Sequence, residues 1–454
     1  CGETAYWSYD NQGTLTITGS GAMYNYGPEN APWQLFKDSI KTIIISDSIT
    51  RIGSHAFYNI KGITSLTIPT SLTQMGDYAI SGCDSLTTLV WNARSLSVQN
   101  LGGLNASQLS SITFGNAVVD IPNNICNSMS QLKRLVLPAS VKTIGYRSFY
   151  NCDSLVYVSI PLSVDSIGSE AFDACGGIDT IMYNAINLSK STIGSLNRPS
   201  VSHVEFGSQV EYIPNDMCNG MTKLTKIVIP AKVKVIGNNA FRGCVGLEKV
   251  EIPSSVDSIH SSAFYNCSGL TQVVFNEGLQ YISNSVFQNC SSLTNVVLPT
   301  TLEALGSSAF EGCSNLTTVQ LPASMRSIGA NAFASLKKLL SVTCVGDKKE
   351  ITELGTMGVK AFYDCYGLKE LQIPEGIRAI GSQAVGFNFD LITISLPTTL
   401  DSIGANAING CRSLKSITIP AAVKHIGENA LQDCGALQVV QMLPATPPTM
   451  IGSA

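Results

Sequence analysis

Charge is scarce in this sequence. Only 13% of its 454 residues are Asp, Glu, Lys or Arg, and together they leave a net −4. Nucleic-acid binders usually carry a basic excess, so the balance argues against that partner class. No apolar run approaches the ~20 residues of a membrane-crossing helix, so no membrane-spanning segment is expected. Histidine is rarer still. His55, His203, His260 and His425 are the full set, and none has a nucleophile or carboxylate at a motif spacing. Cys-x-x-Cys pairs and Cys/His clusters of the zinc-holding kind are missing, as is a glycine loop in the strand-to-helix context that phosphate binding requires. The expectation is therefore no catalytic residue, no metal and no cofactor, and a protein that is not an enzyme. The start at Cys1, with no methionine ahead of it, leads us to expect that a targeting signal has been removed.

What the sequence does have is repetition. Length alone would suggest about three domains, but a repeat array grows in one dimension and escapes that rule. From Ile45, steps of 23 residues land on Ile68, Trp91, Phe114, Leu137, Ile160, Tyr183, Phe206, Ile229, Ile252, Phe275, Leu298, Leu321 and Cys344. The next turn is six residues longer, and the step then resumes at Ile373, Leu396, Ile419 and Met442. These eighteen marks define a solenoid.

The unit reads clearly in residues 293–313, LTNVVLPTTLEALGSSAFEGC. Leu293, Val296 and Leu298 mark a short half-buried strand. Pro299 closes it, since proline has no N–H for a ladder. Leu302 and Leu305 fill two further apolar slots, Gly306 suits a tight turn, and Ala309-Phe310 with Cys313 lie on the return path. No stretch is long enough for an amphipathic helix, so at most a short helical or 3₁₀ turn is expected there. One unit cannot bury its own apolar face. Stacking the units gives a right-handed superhelix, mostly β, with a parallel sheet of one short strand per turn. At about 4.8 Å per strand it would extend roughly 80–85 Å.

Residues 1–40 do not follow the repeat and are expected to cap its first edge. Residues 41–443 form the solenoid, and the Pro-rich residues 444–454 leave it. Residues 84–175 and 176–267 correspond throughout as two four-turn blocks. Both carry the same exchange: Cys126 or Cys218 stands in the Phe slot, and Met129 or Met221 in the Cys slot. Such a swap trades volume between neighbouring core positions.

The template Leu-x-x-Leu-x-Ile-Pro-x-x-Val-x-x-Ile-Gly-x-x-Ala-Phe-x-x-Cys resembles that of the BspA-like leucine-rich repeats over roughly residues 41–443. The opening, with Cys1-Gly2, Trp7 and Gly13-Thr14-Leu15-Thr16-Ile17, is similar to that family's amino-terminal segment. The resemblance implies a protein that is secreted or on the cell surface, outer-membrane anchoring included. It further implies an adhesin-like scaffold in contact with host or other-cell macromolecules, host matrix proteins among them. It brings no ligand motif. Cys1 is either a lipidation site or simply the family's opening residue.

Cys83, Cys152, Cys175, Cys244, Cys267, Cys290, Cys313, Cys365, Cys411 and Cys434 share one slot, so they should stack as a buried column of small apolar groups. Neighbouring turns would also bring them within disulfide reach. Outside the core, the side chains one and three residues before each mark should face solvent. In the middle of the array these columns turn charged. The outer column reads Arg134, Tyr157, Thr180, His203, Lys226 and Lys249, and the inner one includes Glu205 and Glu251. Two readings stand: opposite charges pairing across strands on a solvated face, or a contact surface for an extracellular protein. The six-residue insertion with Asp347-Lys348-Lys349-Glu350 is either a tolerated excursion or a second contact. Glycan capture is the alternative function. It needs exposed aromatics in a row, and the outward columns offer only Tyr157, while Tyr58, Tyr150, Tyr265 and Tyr363 share a slot on nonadjacent turns.

Overall fold

Most turns of the repeat fold as a coil with two short parallel strands. In the computed structural model the described residues are 1–96, 101, 103–186, 188, 193, 195–346 and 355–450. The first strand of a coil is the one legible in the sequence. In Lys249–Ile252, Val250 and Ile252 point inward while Lys249 and Glu251 point out. It lies in parallel register with Gln272–Phe275 one coil on, Lys249 opposite Gln272. The second strand is in most coils only two residues long. Ser258–Ile259 pairs with Val235–Ile236 before it and Tyr281–Ile282 after it. This corrects the expectation of one strand per turn. Two residues are too few to show an alternation, and here pairing between coils, rather than local propensity, makes the strand.

The return path holds no more helix than expected. Among the described residues the two 3₁₀ segments are Pro32–Phe36, ahead of the repeats, and Ala106–Gln108, in a coil that lacks Ile-Gly-x-x-Ala-Phe. Elsewhere the return is a series of turns tied forward to the next coil. The Phe264, Phe287 and Phe310 N–H groups donate to the carbonyls of Val286, Ala309 and Ala332 at 2.8–2.9 Å. Aiming these amides at the next coil requires two left-handed residues per coil, such as Ser262 with Asn266 and Ser285 with Asn289. Asn, Ser, Asp and Gly therefore recur there, since short polar side chains and glycine tolerate that region best. No helix among the described residues is long and apolar enough to cross a membrane.

The chain forms two compact units, Cys1–Gln209 and Val210–Ala454. In the first, Ala5–Tyr9 pairs antiparallel with Thr14–Gly19, which lies parallel to Thr42–Ile45 and so extends the first coil's sheet. Trp33 is fully buried beside Trp7 and Phe57, and its indole N–H donates to the Ala56 carbonyl at 2.8 Å. Further on, Arg134–Val136, Tyr157–Ile160, Thr180–Tyr183 and His203–Phe206 form a four-stranded parallel sheet. In the second unit a seven-stranded sheet runs from Lys249–Ile252 to Thr393–Ser395, and the second strands, of two to four residues, build an eleven-stranded one.

Two side-chain columns fill the core of the second unit. Phe241, Phe264, Phe287, Phe310, Phe333 and Phe362 stack ring on ring at 5.0–5.4 Å. Beside them runs the cysteine column, buried except at Cys434, and all fourteen cysteines are free thiols. They are more than fillers. Each ladder thiol donates to a carbonyl of the preceding coil, as in Cys290 to Phe264 at 3.2 Å and Cys313 to Phe287 at 3.1 Å. One coil has Asn388 in place of the cysteine, fully buried, whose Nδ2 donates to the Phe362 carbonyl at 2.9 Å while its Oδ1 accepts from the Cys365 amide. The slot thus holds a hydrogen-bond donor in these coils, and a larger apolar side chain, Leu336, Met129 or Met221, fully buried in others. Burial pushes the Cys313 and Cys365 thiols up to about 12.

In the exchanged coils a methionine thioether, which has no proton to donate, takes the slot. Cys126 with Met129 in the first unit, and Cys218 with Met221 in the second, are fully buried. Polar side chains also dictate glycines one coil later. The Asn284 Oδ1 accepts from the Ser307 amide at 2.8 Å and occupies the space a side chain on Gly306 would need, 2.6 Å from where its Cβ would stand.

Candidate interaction surface

The seven charged or polar residues picked out on the sheet face divide between the two units. Arg134, Tyr157, His203 and Glu205 belong to the first; Lys226, Lys249 and Glu251 belong to the second. In the first unit Arg134, Tyr157, Thr180 and His203 lie opposite one another across four consecutive strands. The Arg134 guanidinium sits 3.7 Å over the Tyr157 ring, a cation–π contact that fixes its orientation. Glu205 is exposed on the same strand as His203, two residues on, in register with Met182. Val136, in the same column as Glu205 but on the Arg134 strand, is also exposed.

In the second unit Lys226 and Lys249 are bridged in parallel, two exposed ammonium side chains on adjacent rungs of one column. Like charges placed directly opposite repel. Glu251 accepts from the Asn276 side-chain amide at 3.1 Å. Among the described residues none of the seven makes an ion pair. Opposite charges are thus not matched across strands on this face.

The regular ladder is reduced to that single bridge at Lys226, and a hollow of about 560 Å³ opens beside it, lined by Lys226, Val228, Pro230, Lys249, Glu251 and Pro253. Val228 is 69% exposed. A second hollow of about 550 Å³ is floored by Gln272, Val274, Phe275, Asn295 and Val297. Val228, Val274 and Val297 all belong to the inner outward column, and reading that column for apolar residues as well as for charge would have found them. Glu251→Ala is expected to leave the melting temperature within about a degree or two of the parent, because an exposed polar contact contributes only tenths of a kcal/mol; a large drop would show that this column faces the core.

The remaining candidates are quickly placed. The ring of His55 lies 5.2 Å from Tyr78 and 5.4 Å from Tyr58, with Nδ1 3.2 Å from the Tyr26 carbonyl oxygen. His260 meets Tyr212 edge-on at 6.5 Å. The tyrosine slot carries cations on its rings: Arg147 over Tyr150, Arg242 over Tyr265 and Lys360 over Tyr363, at 4.8–5.1 Å. The segment Asp347-Lys348-Lys349-Glu350 lies outside the described residues.

Comparison with known proteins places the repeats. The signature described as "BspA type Leucine rich repeat region (6 copies)" matches residues 34–137, 119–248, 235–355 and 350–446. Among solved structures, the chain is similar to a leucine-rich repeat protein from Bacteroides ovatus, at 21% identity over 97% of this chain and 93% of that one, with a TM-score of 0.49. A leucine-rich repeat protein from Eubacterium ventriosum matches at 19% identity over 90% and 92% of the two chains, with a TM-score of 0.39. A leucine rich cell surface protein from Faecalibacterium prausnitzii matches at 21% identity over 97% and 94%, with a TM-score of 0.31. No curated protein matches the chain.

Proposed function

Since the chain belongs to the BspA-type leucine-rich repeat family, we propose that it is a secreted or cell-surface scaffold that works by holding a macromolecular partner, in the manner of an adhesin, and that it catalyses no reaction. The observation that carries this reading is the pair Lys226 and Lys249. Two exposed ammonium groups stand on adjacent rungs, without an ion pair among the described residues, at the rim of a hollow with exposed Val228 in its wall. An unrelieved like-charge pair costs stability, and a carboxylate from a partner would relieve it while the valine is covered. An extracellular protein with an acidic patch fits both features. Glycan capture is less well supported, because three of the four tyrosines that share a slot already carry cations on their rings and Tyr58 meets the His55 ring.

The test is binding of the whole chain to purified host matrix proteins by surface plasmon resonance, for the parent and for Lys226→Gln with Lys249→Gln. We expect affinity to fall at least about tenfold in the double variant, with a weaker salt dependence. Equal binding by both proteins would remove this face from the interface. Binding to none of the matrix proteins would remove the adhesin reading.

A further inference from the structure

In the column of residues that directly follow the cysteine slot, most coils place something small or acidic. Asp84, Asp153, Ser268, Ser291 and Ser314 are typical. In four consecutive coils of the second unit the column instead reads Lys337, Tyr366, Phe389 and Arg412. Tyr366 and Phe389 stack at 5.2 Å with their planes 5° apart, and the Arg412 guanidinium lies 4.7 Å from the Phe389 ring centre. Tyr366 comes from the coil before and Arg412 from the coil after, so Phe389 is covered on both faces and offers its edge. The Tyr366 phenol hydrogen-bonds Asp364, which raises its pKa.

A second departure sits beside it. The residue before the cysteine slot is left-handed in every such coil, filled by Asn266, Asn289, Gly312, Asp364, Gly410 and Asp433 among others. At 387 it is phenylalanine, held at φ +59°. A bulky side chain is disfavoured there. Phe387 meets Tyr363 edge-on at 5.4 Å and Phe389 at 6.1 Å, and Lys360 lies 4.9 Å over Tyr363. Gly410 in the next coil packs beside the Phe387 ring, where a Cβ would stand at van der Waals distance, 3.4 Å away. A strained aromatic thus buttresses a half-exposed aromatic column, and Tyr366 is 40% exposed. Strain of this kind concentrates at functional sites.

We propose that Tyr366, Phe389 and Arg412, buttressed by Phe387, form a docking site for a protein segment that presents a carboxylate next to an apolar or aromatic side chain. The proposal rests on the scaffold reading above and assigns it a second surface. Arg412 has no ion pair among the described residues, and stacking on Phe389 pre-orients its planar fork for two-point contact with a carboxylate. Lys337 is exposed in the same column. The ring edges carry the positive end of the aromatic quadrupole, which also suits oxygen acceptors and the face of a partner's ring. A sugar ring packs on an open aromatic face, and Phe389 has none to give. Stacked aromatics beside an arginine are also the composition of residues that dominate protein interfaces.

The test uses a random dodecapeptide library displayed on phage and selected on the whole chain. We expect enrichment of Asp or Glu next to Phe, Tyr or Leu, and at least a tenfold loss of affinity for the enriched peptides in Phe389→Ser and in Arg412→Ser. Serine is the residue this column carries in other coils, so these variants should fold. Phe387→Asn, which restores the usual left-handed residue, should raise Tm by a few degrees while weakening the same peptides. A purely structural Phe387 would move Tm alone. Enriched peptides that bind the variants as well as the parent would overturn this site and leave the scaffold reading standing. Enrichment without acidic residues, or capture of sulfated glycans in place of peptides, would overturn the occupant.

Discussion

Replacing Phe287 by alanine should cost about 3–5 kcal/mol, the range for deleting a buried aromatic and leaving its cavity behind. Phe287 is fully buried and lies in the middle of the stack, 5.2 Å from Phe310 and 5.3 Å from Phe264, with Phe275 meeting its edge at 5.8 Å. Its ring cannot be replaced by relaxation of its neighbours. The coils above and below are fixed by the ladder on the first strands, the ladder on the second strands and the amides of the return path, so the void stays open. Denaturant unfolding of the parent and variant gives the loss directly, and hydrogen exchange should show it first in the amides of the coils that carry Phe264 and Phe310. A loss below about 1 kcal/mol would show that the slot tolerates collapse and that the coil spacing is softer than three ladders imply.

The second large effect is alkaline. A thiol is uncharged while protonated, so burial raises its folded pKa above the unfolded value near 9. Its contribution is fully present below about pH 9 and is withdrawn as pH rises towards the folded value. For Cys83, Cys313 and Cys365, which burial holds at about 12, that interval amounts to on the order of 4 kcal/mol per thiol. Deprotonation also removes the S–H that serves the Phe57, Phe287 or Phe333 carbonyl. The β signal in circular dichroism should therefore collapse between pH 9 and 12, with Cys83, Cys313 and Cys365 becoming reactive to iodoacetamide only as it does. Sheet that persists at pH 12 after those thiols have been alkylated would contradict a buried, donating column.

How much of this was legible in the sequence follows from what each feature repeats. Leu-x-x-Val-x-Leu recurs with its proline, so the first strand, its outward columns and its register were readable from Val296 and Leu298 alone. The burial of the cysteine column was readable from its shared slot. The donor role of those thiols was not, because a thiol and a methyl look alike until a carbonyl is found opposite; Asn388 in the same slot was the clue. The second strand escaped because Ser258-Ile259 has no period. On the candidate surface, charge drew attention to Lys226, Lys249 and Glu251, while Val228 and Val297 passed as ordinary strand residues. The Tyr366–Phe389–Arg412 column is visible only after residues 29, 23 and 23 apart, from Lys337 onward, are laid in one line.

The Asn–Gly complementarity between coils also limits the order in which coils can be rearranged. Where an asparagine oxygen stands in the space of the next coil's Cβ, that coil needs glycine at the matching place. Asn92 with Gly115 and Asn123 with Gly145 obey this in one four-coil block, and Asn184 with Gly207 and Asn215 with Gly237 repeat it in the copy. Recombination that keeps both members of each couple yields a chain that stacks at once. A cut between them would seat a side chain on an occupied oxygen, so such couplings act as a grammar for how arrays of this kind lengthen.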